Sequence, residues 1–137
     1  MRTFLERLAD PSPMIYDGGF GSELFARGIE LTNSALANEL HADAVVEIHS
    51  DYIDAGVDAV GTNTFVASRL HLEMAGIEGI AADKIAWLAV EHAKVAVEKI
   101  GKEIYIAGSI GPSPGAIEAD SGDNDFGIPN AVVRDVY

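Results

Sequence analysis

Residues 56–64 read Gly-Val-Asp-Ala-Val-Gly-Thr-Asn-Thr, and this stretch decides the fold. A helical pattern ends at Gly56, and the apolar run over residues 57–61 predicts a buried strand. Polar residues 62–64 follow the strand directly. A strand that follows a helix and ends in polar residues is typical of one unit in a chain of alternating strands and helices.

The same unit recurs on both sides of this stretch. Residues 14–16 and 104–107 are short apolar runs that predict two more strands. Helical patterns over residues 43–55, 67–75 and 82–100 separate the strands. Strands separated by helices predict parallel pairing and crossover connections. Two fold classes fit this order, an open doubly wound α/β sheet and a (β/α) barrel.

The remaining segments complete the outline. Thr3 and Glu6 have the spacing of a capping box, which predicts a short first helix. Asp43 is the predicted N-cap of the helix that precedes the central strand. Residues 113–130 are rich in Gly, Pro, Ser, Asp and Asn and predict a long loop, and residues 131–137 predict the first turns of another helix.

The composition limits the classes of function. The chain has 137 residues, 48% of them hydrophobic, which is enough to build a packed core. Its 22 acidic and 9 basic side chains give a net charge of −13, which argues against nucleic acid and anionic membranes as partners. The absence of cysteine excludes disulfides, thiolate zinc ligands and a cysteine nucleophile within this chain. No signal peptide or membrane-length apolar run is visible, so a soluble cytoplasmic protein is expected.

Polar or glycine-rich residues follow each of the three predicted strands. These segments are residues 17–19, 62–64 and 109–112. In both fold classes ligands meet the carboxyl ends of the strands, so the three segments are expected to form one binding site.

Asp17 and the glycines after it have three interpretations. Glycines let backbone N–H groups approach a ligand, and the Asp17 carboxylate suits an ammonium group or a hydroxyl. A phosphate loop fits poorly, since Gly19 and Gly21 are followed by Leu24 instead of a third glycine, and no Gly-Lys-Ser/Thr sequence follows. The third interpretation, a helix N-terminus capped by Asp17 with tight-turn glycines, stays open.

The other two segments also have structural alternatives. Residues 62–64 either orient a polar substrate or hydrogen-bond the neighbouring loops. Residues 109–112 form either a substrate loop or a structural turn. No catalytic and no metal-ligating residue is predicted. No two histidines have a short metal-ligand spacing, and His49 and His92 are expected on a helix surface or in packing. The histidines are His41, His49, His71 and His92.

Several of these segments occur together in one known family. The segments are residues 17–24, 48–49 with Tyr52, 55–58, 62–65 and 107–112. In order and spacing they resemble the homocysteine S-methyltransferase family, which includes the homocysteine modules of methionine synthase and the betaine-dependent enzymes. Each motif is modest alone, but together they cover nearly the whole chain.

The resemblance implies a fold and an activity. The family fold is a (β/α)8 TIM barrel, and the family reaction transfers a methyl group from a small donor to the sulfur of homocysteine, giving methionine. Zinc binds the substrate thiol in the family and favours the thiolate. By resemblance, Asp17 holds the homocysteine ammonium, and the backbone of Gly18 and Gly19 lies near the substrate. The residues expected to line the same mouth are Thr62, Asn63 and Ser109.

The chain also departs from the family pattern. Family zinc ligands are cysteines in the later part of the barrel, and this chain has no cysteine. A barrel needs eight strands and ~250 residues, whereas three strands are predicted from this sequence. Residues 1–137 are therefore expected to form the N-terminal part of a barrel, about three β/α units, that is inactive alone.

Two other classes of function stay open. One is a non-catalytic half-barrel binding or assembly module that self-associates or pairs with a complementing chain. The other is an unrelated enzyme on a small doubly wound sheet that uses Asp17 as an acid or a base.

Overall fold

The structure is a computed structural model that describes residues 2–115 and 127–137 as a mixed α/β fold. The helical segments are α1 (Phe4–Leu8), α2 (Phe20–Ala26), a 3₁₀ turn (Ser34–Leu36), α3 (Ala37–Leu40), α4 (Ala42–Ala55), α5 (Arg69–Met74), α6 (Ala82–Ile100) and α7 (Asn130–Val136). The strands are β1 (Ala59–Gly61) and β2 (Tyr105–Ala107). The loop predicted over residues 113–130 falls largely on residues 116–126, which lie outside the described residues.

The two strands pair in parallel, as the alternation of strands and helices predicts. Ala59 pairs with Tyr105, and Gly61 pairs with Ala107. Residues 14–16 run along the other side of β1, where Tyr16 forms a parallel bridge with Ala59. The carboxyl ends of all three segments therefore meet at one edge of the sheet.

The first predicted strand is shorter than the sequence pattern indicates. The backbone carbonyl of Ile15 accepts hydrogen bonds from the N–H groups of Asp58 and Ala59, at 2.8 and 3.2 Å. The N–H of Ile15 donates instead to the side chain of Asp58, at 2.8 Å. Because a carboxylate replaces a backbone carbonyl as acceptor, the ladder is limited to a single bridge at Tyr16.

The predicted helix boundaries are confirmed at most ends. Thr3 and Glu6 form the capping box of α1. Gly56 and Gly101 end α4 and α6 with φ of 102° and 69°, a left-handed conformation that favours glycine. The prediction that Asp43 caps α4 is wrong, because α4 begins at Ala42 and its N-cap, His41, makes no side-chain capping bond.

Three short elements between residues 20 and 40 are not predicted by the sequence pattern. They are α2, the 3₁₀ turn and α3, of seven, three and four residues. Helices of one or two turns are too short to show a period of 3.6 residues, so nothing in the hydrophobic pattern marks them. The N-cap of α2 is Gly19, with no side-chain capping bond, so the interpretation of Asp17 as a helix cap is wrong.

The core lies between the helices and the sheet. Helices α4 and α6 pack against each other, and Ile53 of α4 contacts a cluster with Ala93 and Ala96 of α6 and Val60 of β1. Fully buried alanines on α6 leave room for the larger side chain of Ile53. None of the helices within residues 2–115 and 127–137 is long and apolar enough to cross a membrane.

His49 is a fully buried polar side chain on α4. Its ring meets the edge of Phe20 at a centroid distance of 4.8 Å, and neither ring nitrogen has a hydrogen-bond partner among the described residues. Burial lowers the pKa of His49 from 6.5 to about 4, and the neighbouring His92 adds to the shift. The packing role predicted for this histidine agrees with its position.

The buried histidine predicts an acid-sensitive fold. Lowering the pH from 7.5 to 5 is expected to cost about 2 kcal/mol of unfolding free energy through His49, because the unfolded chain takes up the proton near 6.5 and the folded chain only near about 4. Urea unfolding at the two pH values, for the wild type and His49→Leu, measures this cost as the difference in pH dependence. Equal pH dependence in wild type and His49→Leu would contradict the prediction.

Candidate binding site at the strand ends

A cavity of about 370 Å³ lies at the carboxyl ends of β1 and of residues 14–16. The structure brings all of the sequence-predicted site residues to its wall, namely Asp17, Gly18, Gly19, Thr62, Asn63 and Ser109. The other wall residues are not among the predicted site residues; they are Tyr16, Phe20, Gly21, Ser34, Gly61 and Phe65. Tyr16 and Phe65 adjoin predicted segments, so strand-end position alone could have indicated them, whereas Ser34 comes from the unpredicted 3₁₀ turn.

Asp17 is the only charged side chain among the described residues that line this cavity. Its Oδ2 accepts a hydrogen bond from the backbone N–H of Gly61 at 2.9 Å. Burial raises the pKa of the Asp17 carboxyl above its ordinary value, and the Gly61 N–H opposes that shift. A half-buried carboxylate held on β1 is suited to a cationic group of a ligand, because such a group would relieve the cost of burying the charge.

Gly61 allows a tyrosine to reach this edge of the sheet. A Cβ at position 61 would overlap the hydroxyl of Tyr16 and lie 3.4 Å from Oδ1 of Asp17. The strand thus ends in glycine because the side chains of Tyr16 and Asp17 cross over it. Burial raises the pKa of the Tyr16 phenol, and the nearby Asp17 adds to the shift, so the phenol stays neutral beside the carboxylate.

Hydroxyl groups join the segment after β1 to the segment after β2. Oγ1 of Thr62 and Oγ1 of Thr64 form a hydrogen bond of 2.7 Å. Oγ1 of Thr64 donates to the carbonyl of Ser109 at 2.7 Å, and the N–H of Ser109 donates to Oγ1 of Thr62 at 3.1 Å. These threonines therefore connect neighbouring loops, the structural alternative for residues 62–64, while Thr62 and Ser109 also line the cavity.

Buried asparagines join the same strand end to the 3₁₀ turn and α3. Nδ2 of Asn63 donates to the carbonyl of Ser34 at 2.9 Å. Nδ2 of Asn38, a residue that is 1% exposed, donates at 2.8 Å to the carbonyls of Ala35 and Asn63. His92 of α6 bonds to the Asn38 carbonyl through Nε2 at 2.8 Å. The Asn38 side chain of α3 therefore holds the backbone at Asn63.

A larger cavity beside α6 and α7 fits the predicted site less well. It has a volume of about 500 Å³, lies between α6, α7 and the segments that follow β1 and β2, and contains only Thr62 and Ser109 of the predicted residues. Its wall is mostly apolar, whereas the smaller cavity combines one carboxylate with neutral hydrogen-bonding groups and aromatic side chains. The smaller cavity has the chemistry expected of a site for a small polar molecule with a cationic group.

The described residues do not fit a zinc ion. The sequence has no cysteine, and no three His, Asp or Glu side chains within residues 2–115 and 127–137 lie close enough to hold a metal ion. Structural and catalytic zinc sites take at least three protein ligands. The described side chains therefore do not supply the ligands of a zinc site.

The geometry defines an α/β protein with a ligand cavity at the carboxyl ends of parallel strands. A family model described as homocysteine S-methyltransferase matches residues 14–137. The chain belongs to the homocysteine S-methyltransferase family, as its motifs predict.

Relatives of known function agree with this family. Methionine synthase from Mycobacterium tuberculosis is 33% identical over 138 residues, which cover 90% of this chain and 11% of that protein. Betaine–homocysteine S-methyltransferase 1 from Rattus norvegicus is 30% identical over 125 residues, covering 88% of this chain and 30% of that protein. The chain thus spans a minor part of the length of the relatives that it matches.

A solved structure shares the fold. The homocysteine methyltransferase MmuM from Escherichia coli, in its metallated form, superposes with a TM-score of 0.66 at 24% identity. The match covers 79% of this chain and 41% of that one.

Removing the Asn38 amide is expected to weaken the strand end. Asn38→Leu leaves the buried carbonyls of Ala35 and Asn63 without this donor, which should cost about 1–3 kcal/mol of unfolding free energy. Urea unfolding measures the cost, and amide hydrogen exchange at Thr64, whose N–H donates to Thr62, measures the loosening of the loop.

Ser50→Ala provides the matched control. It removes a side-chain bond of 2.9 Å to the Val46 carbonyl within α4 and should leave exchange at Thr64 unchanged. Equal exchange at Thr64 in both variants would show that Asn38 does not hold the strand end.

Proposed function

We propose that this chain is the amino-acid-binding portion of a homocysteine S-methyltransferase domain, whose reaction transfers a methyl group to the thiol of homocysteine and gives methionine. The observation that carries the proposal is the convergence of Asp17 and the neutral strand-end groups on one cavity in a chain of this family. The substrates are homocysteine and a small methyl donor. The cytoplasmic location expected from the sequence belongs to the same proposal.

The ammonium and the methylene groups of homocysteine have partners of matching chemistry in this arrangement. The ammonium pairs with the carboxylate of Asp17, which faces the cavity beside backbone that lacks side chains at Gly18 and Gly19. Thr62, Asn63 and Ser109 supply neutral groups at the other wall. The aromatic rings of Phe20 and Phe65 are suited to the apolar methylene groups of the substrate, whose thiol then points away from Asp17.

In this proposal residues 1–137 form the N-terminal part of a TIM barrel. Parallel pairing in chain order and the TM-score of 0.66 over 41% of the Escherichia coli chain support a partial barrel of about three β/α units. The zinc ion and its thiolate ligands belong to parts of the domain other than these residues. The chain alone then binds homocysteine without catalysing methyl transfer.

The role of Asp17 predicts a loss of binding when its charge is removed. Asp17→Asn should weaken homocysteine binding about 10- to 100-fold, because a hydrogen bond to a charged group contributes about 1.5–3 kcal/mol. Isothermal titration calorimetry at pH 7 measures the dissociation constant. Asp54→Asn, an exposed position on α4, is the charge-matched control and should bind as the wild type does. Equal affinity of Asp17→Asn and the wild type would exclude the ammonium-binding role.

Because we assign zinc binding to other parts of the domain, we expect no turnover by the chain alone. The purified chain with zinc, homocysteine and S-methylmethionine should form no methionine above a blank that contains zinc without protein. Mass spectrometry of the product measures this. Clear turnover above the blank would contradict the assignment of zinc binding to other parts of the domain.

One observation favours a second candidate, a half-barrel assembly module. Within the described ranges β2 pairs only with β1, which leaves backbone groups on its other side available to another strand. Size-exclusion chromatography with light scattering distinguishes the two candidates. A defined oligomer that binds no homocysteine would favour the module.

A further inference from the structure

Tyr52 of α4 contacts the turn that carries Asp17. Its hydroxyl donates a hydrogen bond to the carbonyl of Gly19 at 3.0 Å. A Cβ at Gly18 would lie 2.7 Å from the Tyr52 hydroxyl oxygen and 3.2 Å from Cζ of the same ring. Real Cβ atoms do not approach other atoms so closely, so Gly18 is a glycine because Tyr52 occupies the space beside it.

The neighbouring glycines do not share this constraint. A Cβ at Gly19 would meet only Oγ of Ser22, at 3.4 Å, and a Cβ at Gly21 would meet nothing within 4 Å. Neither residue has a positive φ. Of the three glycines, only Gly18 is excluded from carrying a side chain by the surrounding protein, and the excluding group is Tyr52.

The hydroxyl of Tyr52 is a neutral donor at physiological pH. Partial burial raises the pKa of this phenol, and the carboxylates of Glu23 and Asp17 add to the shift. Arg27 acts in the opposite direction with a smaller effect. The hydrogen bond to Gly19 therefore persists under the conditions in which Asp17 is ionised.

We infer that Tyr52 is a positioning residue for the binding site: its ring and hydroxyl fix the backbone of Gly18 and Gly19, and thereby the direction of the Asp17 carboxylate. The inference rests on the proposed function for its binding readout. Tyr52 is not among the described residues that line the cavity, so its influence on the site passes through its contacts with Gly18 and Gly19.

The contact at Gly18 provides a reciprocal test. Gly18→Ala forces the new methyl group against the Tyr52 hydroxyl, and it should weaken homocysteine binding at least tenfold. Tyr52→Phe removes the bond to Gly19 and should weaken binding about threefold. The double variant Gly18→Ala/Tyr52→Phe should bind more tightly than Gly18→Ala alone, because the atom responsible for the closest contact is gone. Tyr137→Phe, which removes a hydroxyl bond of 3.2 Å to the Pro112 carbonyl outside this cavity, is the control and should retain near wild-type affinity.

If the effects of Gly18→Ala and Tyr52→Phe are independent, the double variant is not the tighter binder of homocysteine when compared with Gly18→Ala. If Tyr52 only packs α4 against the rest of the chain, the double variant binds no more tightly than Gly18→Ala, and that result overturns the inference. Backbone amide signals of Gly18 and Gly19 in ¹H–¹⁵N spectra add a second readout. They should shift in Tyr52→Phe, while signals from the far end of α4 stay in place; unchanged signals at Gly18 and Gly19 also overturn the inference.

The inference and the proposed function fail in different ways. If the wild-type chain binds no homocysteine, the proposed function fails, and the pairing of Gly18 with Tyr52 is still measured by urea unfolding. The urea midpoint of the double variant should then exceed that of Gly18→Ala. A double variant that is less stable than Gly18→Ala overturns the inference whatever the binding result is.

Discussion

The hydrogen bond between the Asp17 carboxylate and the Gly61 N–H, at 2.9 Å, is the interaction on which the strand-end site depends. It joins the turn after the first extended segment to the end of β1, and it gives a half-buried negative charge a backbone donor. The bond needs Gly61, because a side chain there would overlap the hydroxyl of Tyr16. Of the described residues that line the cavity, the only charged one is thus held by a bond to the backbone of β1.

The other contacts extend this arrangement in two directions. Thr62 and Thr64 join β1 to the segment after β2 through Ser109. Asn38 joins the same strand end to α3, and Tyr52 joins the turn after Asp17 to α4. Each strand end is held by a short polar contact with a neighbour, so the groups that we propose to bind homocysteine are positioned without a ligand. Such preorganisation reduces the entropic cost of binding.

Much of this arrangement could be predicted from the sequence, for a physical reason. Parallel strands separated by helices place their carboxyl ends at one edge, so the order of strands and helices predicts that Asp17, Thr62 and Ser109 lie together. The contacts that hold them could not be predicted. Tyr52 lies 33 positions from Gly19, and Asn38 lies 25 positions from Asn63. Side chains so distant along the chain meet only through the packing of α3 and α4, which no local pattern encodes.

The most direct test of the account is a titration of homocysteine into the ¹⁵N-labelled chain, followed by amide chemical shifts. The largest shifts are expected in residues 17–19, 61–63 and 109, at the three strand ends together. Shifts concentrated at the larger cavity beside α6 and α7, or no shifts at millimolar homocysteine, would contradict the claim that these strand ends form one amino-acid site.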